Sequence, residues 1–269
     1  MDLIINAVIA AAITIPLSTW IMYKLFAKRF PYKPPPSQKH YTLEELQPKY
    51  ERWERFGTML TVVFIFPMAY IIYEAFMAMR ALLLRPYSDA PFVFVPPWEW
   101  WALLALFLGI IATAIPMDFI VRWWLKEQVE EFIAYQNLQY GYDAQKAGRI
   151  ILTSLGGFSA LCLVFLFDWY TVFGPSEIVI NPFLSFSVKR YAYSDIQRFS
   201  VERETTPENP DGGEIRLTLY FKDDSSWDNT SLSPADRKPG SASLVEFIQE
   251  QTGMILSDWK DMSMMPGRR

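Results

Sequence analysis

Three carboxylates stand where an apolar run gives out: Glu74, Asp118 and Asp168. A carboxylate at the edge of hydrocarbon is costly to keep ionised unless it is paired, so it is by default a functional candidate. For transport, Glu74 alone is a plausible coupling site. Glu74 is the most informative of the three, because apolar residues continue beyond it to Leu84. Arg80 or Arg85 could neutralise it from the same side, and Asp168 could share a proton with it. The plainer alternative for all three is an interfacial carboxylate just below the lipid headgroups.

Other reactive side chains are scarce. Cys162 is the only cysteine and His40 the only histidine. An internal disulfide is impossible. A zinc site of the usual Cys/His kind is excluded, and so is a Cys–His or Ser–His–Asp triad that does not use His40. Cys162 reads as a small apolar residue within a helix, and His40 as a solvated residue after a proline-rich loop. No glycine-rich phosphate loop, metal motif or nucleophile elbow occurs. The expectation is a non-enzymatic protein with no catalytic residue, cofactor or metal. A net charge of −4 argues against nucleic acid as a partner.

The elements that carry these carboxylates are apolar helices. Residues 3–23, 56–73, 100–117 and 150–167 hold no charged side chain. A hydrocarbon core of about 30 Å needs roughly 20 apolar helical residues, so four spans and a lipid bilayer as solvent are expected. Pro16, Pro67 and Pro116 lie inside three of them and predict kinks. The first run follows Asp2 and precedes Lys24, Lys28 and Arg29. That order is the reverse of a cleavable signal peptide and predicts a retained helix. Trp98, Trp100 and Trp101 open the third span, Trp123 and Trp124 close it, and Trp169 and Tyr170 close the fourth. All read as headgroup-level anchors.

Basic residues set the orientation. The first connecting loop carries Lys24, Lys28, Arg29, Lys33, Lys39, Lys49, Arg52 and Arg55, and the third carries Arg122, Lys126, Lys146 and Arg149. The second has only Arg80 and Arg85. By the positive-inside rule, loops one and three are cytoplasmic, with loop two and both termini periplasmic, in a multi-pass protein of the inner membrane. Thr42-Leu-Glu-Glu45 has capping-box spacing, so helix is expected from there through Tyr50 and Trp53 into span two. Span three should likewise continue through Glu127 and Phe132 toward Tyr140.

Composition changes after Tyr170. Residues 177–181 and 183–193 read as strands. In 214–222, Ile215, Leu217, Leu219 and Phe221 alternate with Arg216, Thr218 and Tyr220, a strand with one buried face. Turn residues flank it at Pro210-Asp-Gly-Gly213 and Asp223-Asp-Ser225. A last helix is expected from about Ser243, with Glu246 completing a capping box and Gly253 as its stop. Ile196, Ile215, Leu217, Leu219, Phe221, Leu244, Phe247 and Ile248 form the expected core.

Phe173-Gly174 leading into Glu177-Ile-Val-Ile, then Tyr193-Ser-Asp-Ile196, the alternating strand and the closing helix together resemble the bacterial pleckstrin-homology-like domain. That resemblance implies an antiparallel sheet or open barrel closed by a C-terminal helix. The expected fold is therefore a membrane all-α four-helix transmembrane bundle over 1–172, a small α+β domain over 173–260 and a disordered tail over 261–269. The resemblance does not imply phosphoinositide binding, since acidic residues outnumber basic ones from Asp168 onward and such binders need clustered cations. A protein partner is expected instead. More weakly, the topology resembles small membrane immunity proteins that guard against secretion-system toxins. A membrane scaffold or envelope-stress component, or a component of an oligomeric transporter or channel, are the alternatives.

Overall fold

The computed structural model describes residues 24–35, 38–203, 215–235, 241–254 and 259–261, apart from residues 25 and 186. The predicted first span and the tail beyond 261 lie outside these, as does most of the stretch 202–211, which carries Glu202, Glu204, Glu208 and Asp211. Three helices in the described chain are long and apolar enough to cross a membrane. The most apolar window of the first has none of its residues buried, and Val63, Phe66, Tyr70 and Ile71 stand 60–67% exposed on it. Apolar surface of that extent needs a lipid or protein covering.

The chain divides into two compact units. Helix α1 (Leu43–Leu83) runs unbroken through Pro48 and Pro67 and contributes to both. The first unit comprises Met1–Ile72 and Leu106–Ser159. In it, Thr42 Oγ1 accepts from Glu45 N at 3.4 Å, and Glu44 and Glu45 face the positive end of the helix dipole. Helix α2 (Trp98–Leu125) gives way to a 3-10 turn over Lys126–Gln128 and then to α3 (Val129–Tyr140). The break falls where Lys126 adopts φ +47°, so the expected continuation of span three is helical but interrupted. Gly141 (φ +67°) stops α3 by bonding Asn137 O. Asp143 then opens α4 (Ala144–Asp168), its Oδ1 accepting from Lys146 N at 2.9 Å. Where α1 and α2 approach, a Cβ on Gly109 would stand 2.8 Å from the Ala69 backbone nitrogen, a contact only glycine permits.

The second unit comprises Tyr73–Ala105 and Ala160–Arg269. Its strands are β1 (Phe92–Val95), β2 (Tyr170–Phe173), β3 (Glu177–Asn181), β4 (Lys189–Ala192), β5 (Ile196–Arg203), β6 (Ile215–Phe221), β7 (Ser226–Asp228), β8 (Ser233–Pro234) and β9 (Trp259–Asp261). They form an antiparallel sheet β4-β3-β2-β1-β8 and a second sheet β7-β6-β5-β9, with β9 parallel to β5. Helix α5 (Ser241–Thr252) covers their shared core with Leu244 and Ile248, and Gly253 (φ +68°) ends it. The aromatic-x-Asp-Ile segment becomes a 3-10 turn. Tyr193 is buried and donates to Gly174 O at 2.6 Å, while Asp195 Oδ2 accepts from Ala192 N.

Two differences from the sequence reading have physical causes. Residues 92–95 and 170–173, read as loop and anchor, are central strands. Each is only four residues long, and its burial comes from a partner 79 residues away in the chain (Val93 opposite Val172), which local periodicity cannot show. The strand expected over 183–193 survives only from Lys189. Pro182 and Leu184 (φ +62°) make a turn before it.

Candidate functional site

The predicted site residues do not assemble into one constellation. Glu74 lies exposed on α1 and joins no ion pair among the described residues. Arg80 is six residues further on, about 9 Å up the axis and roughly a third of a turn off its face. Asp118 accepts from Arg122 Nε at 2.8 Å, an exposed pair one helical turn apart. Asp168 ends α4 and accepts from Asn181 Nδ2 at 2.7 Å.

Arg80, Arg85 and Asp168 do converge on neighbouring hollows of the second unit. One, of about 320 Å³, is bordered by Arg80, Leu84, Arg85, Tyr87, Ser88 and β1. The other, of about 220 Å³, shares Arg80 and Leu84 with it and reaches Trp101 and Asp168. Trp101 is fully buried, edge-on to Phe167 at 4.9 Å, and its Nε1 donates to Pro96 O at 3.2 Å. It fixes the entry to α2 from inside and is no membrane anchor, unlike Trp98 and Trp100, which are exposed.

A third cavity, of about 260 Å³, opens on the β strands and is lined by Trp169, Asn181, Lys189, Tyr191, Ser225 and Trp227 among others. The strands build it from below. Tyr191 stacks on Phe221 at 3.9 Å, and Trp227 Nε1 donates to Thr171 Oγ1 at 2.9 Å. Asn181 is 1% exposed. The bond from its Nδ2 to Asp168 orients the amide, and its Oδ1 accepts nothing among the described residues. A buried acceptor left without a donor is an uncommon feature. Beside the cavity, the Ser225 hydroxyl and backbone N–H hold the Asp223 carboxyl below its ordinary range, and Tyr191 Oη donates to it at 3.0 Å. The lining offers aromatic faces, hydroxyls, the Lys189 ammonium and the Asp228 carboxylate, with the buried Asn181 amide among them. That is the chemistry of polar recognition.

Of the residues named for the β core, Ile196, Leu217, Leu219, Phe221, Leu244 and Ile248 are buried in one cluster and Phe247 packs on it. The Ile215 side chain lies outside the described residues.

Sequence reasoning missed a polar cluster in the first unit. Glu131 accepts from Lys49 Nζ at 2.7 Å and from Tyr50 Oη at 2.9 Å. Glu54 accepts from Tyr135 Oη at 2.9 Å and from Tyr140 Oη. Around it pack Leu46, Tyr50, Leu125, Phe132 and Tyr135. A usable signal was present: tyrosines and glutamates recur at helical spacing on both extensions, too many for a merely solvated face.

Comparison with models of known protein families, with characterised proteins and with solved structures gives no match to this chain.

Proposed function

We propose that this chain is a non-enzymatic binding protein of the inner membrane, whose β unit, PH-like in its order of strands and closing helix, docks a protein partner. The most concrete form is an immunity protein that neutralises a membrane-targeting secreted toxin from the periplasmic side, by occluding the toxin segment that would assemble in the bilayer. The observation that carries the docking reading is the cavity over β2, β3 and β7 with the unpartnered Asn181 oxygen in its lining. Polar groups of a partner would meet the Lys189 ammonium, the Asp228 carboxylate and the Tyr191 and Ser225 hydroxyls there. The placing of basic residues in loops one and three supports a periplasmic β unit.

A membrane scaffold or envelope-stress component is the second reading. It is favoured by β1, which joins the segment between α1 and α2 to the middle of the sheet and suits a domain held close to the membrane.

Affinity purification of the full chain in mild detergent separates the two readings. A secreted effector as the main companion supports immunity, and deleting the chain should then sensitise cells to that effector. Resident membrane subunits as the main companions support the scaffold. Full tolerance, in cells lacking the chain, of every secreted protein encoded nearby sinks the immunity reading.

A further inference from the structure

We infer that the turn between β3 and β4 is a lipid-contacting wedge that seats the β unit in the headgroup layer of a bilayer. Phe183, Leu184 and Val188 lie on this turn and are 48%, 61% and 45% exposed. No charged residue occurs from Asn181 to Val188. Single apolar side chains at a surface are ordinary, but several together beside an apolar helix end mark a surface that is covered.

The register of the sheet fixes where the turn lies. Tyr170 follows closely on Asp168, the end of α4, and stands opposite Asn181, the last residue of β3. Strand β3 therefore returns the chain to the level at which it left α4, and the turn begins there. The Phe183 ring agrees, lying 4.9 Å from Trp169 and 6.0 Å from Phe165 of α4. Strand β1 runs to the same end, since Phe94 faces Thr171, and the entry to α2 follows it with Trp98 and Trp100 exposed. Aromatic side chains of both helices thus share one level, the one such residues favour at a membrane–water boundary.

The turn is built to leave water. Ser185 N donates to Pro182 O at 3.1 Å, Ser187 N donates to Ser185 Oγ at 3.3 Å, and the two seryl hydroxyls stand 2.9 Å apart. Polar groups that bond one another cost less to desolvate. Leu184 has φ +62°, a region that favours glycine and strains a bulky side chain. Packing within the unit does not offset that strain, because the side chain is mostly exposed. Burial of the same side chain in lipid does. The inference rests on α4 lying in a bilayer, and it is independent of what the β unit docks.

The test is fluorescence of the full chain in vesicles of phosphatidylethanolamine and phosphatidylglycerol, with a polarity-sensitive dye on one cysteine in a Cys162→Ser background. Val188→Cys is compared with Val164→Cys, exposed on α4, and with Ser176→Cys, exposed in the β2–β3 turn at the opposite end of the strand. Lipids carrying a nitroxide on the upper acyl chain should quench the dye at position 188 several-fold more strongly than at position 176, and aqueous iodide should do the reverse. Leu184→Asp should lower lipid quenching at position 188 several-fold, and an unchanged value overturns the wedge. Lipid quenching at position 164, with position 188 behaving like position 176, overturns the wedge and leaves the membrane reading standing. Absence of lipid quenching at position 164 overturns both. Protection of position 188 from lipid and iodide alike shows a protein cover and overturns the wedge. Should the Leu184→Asp chain fail to insert, Leu184→Ser decides by the same criterion.

Discussion

Tyr50 is fully buried, yet its hydroxyl meets the same Glu131 carboxylate that Lys49 reaches. One carboxylate therefore joins α1 to α3. Removing the hydroxyl by Tyr50→Phe should cost about 1 kcal/mol, read as a lower thermal midpoint in detergent. The ion pair itself is partly exposed and is worth about 0.5 kcal/mol, screened by salt. Its pH window has two edges. The hydrogen bond from Lys49 lowers the Glu131 pKa, so this stabilisation is complete above the unfolded glutamate value of about 4.3 and disappears as pH falls through the lower folded value. The same bond raises the Lys49 pKa, so the stabilisation is complete below about 10.4 and disappears as pH rises through the higher folded value. Lys49→Met should flatten the acid edge of a stability–pH curve. An unchanged edge would assign it to other carboxylates. At Trp101 the buried ring and its bond to Pro96 predict a loss of about 3–5 kcal/mol for Trp101→Ala, whereas Trp98→Ala, at an exposed site, should leave the midpoint within about 0.5 kcal/mol.

At the scale of elements, the α1–α2 approach depends on a missing methyl. Gly109→Ala would press a Cβ against Ala69 and should destabilise by about 1–3 kcal/mol, with Gly109→Leu worse. A neutral Gly109→Ala in the same unfolding assay would show that the helices can part at little cost. The two glycine stops differ in how readily the sequence shows them. Gly253 follows an amphipathic run and is readable as a stop, whereas Gly141 needs its local partners Asn137 and Asp143 to make sense. Helices were legible because their signal is local: long uncharged runs and the capping-box spacing at Thr42. The alternating strand β6 was legible for the same reason. Strands β1 and β2 were not, since four residues carry no period and their burial is conferred by distant chain. The two arginines and Asp168 were legible as charges where apolar runs end. What they border was not, because the hollows need β1 and β8 as walls.

At the scale of the molecule, the β unit is not a C-terminal appendage. Strand β1 lies between β2 and β8 in the first sheet, and Phe94 meets Phe173 at 5.9 Å and Trp227 at 5.6 Å in the core. A fragment of residues 168–269 lacks that strand and one wall of the core. It should show poor amide dispersion by NMR, and a well-dispersed spectrum would make β1 dispensable. In the full chain with Cys162→Ser, the facing pair Val93→Cys/Val172→Cys should cross-link on mild oxidation, while Val93→Cys/Val188→Cys, outside the register, should not.

Strand β1 leaves the ribosome before α2 and α4, and its neighbour β2 only after them. With α2 and α4 both long and apolar enough to cross a membrane, the proposed membrane reading lets the two meet only if the intervening chain crosses it an even number of times. Closing that sheet is thus a parity check on insertion. A copy with one helix stranded on the wrong side would carry an open strand edge facing no complement, a visible mark for proteolytic disposal.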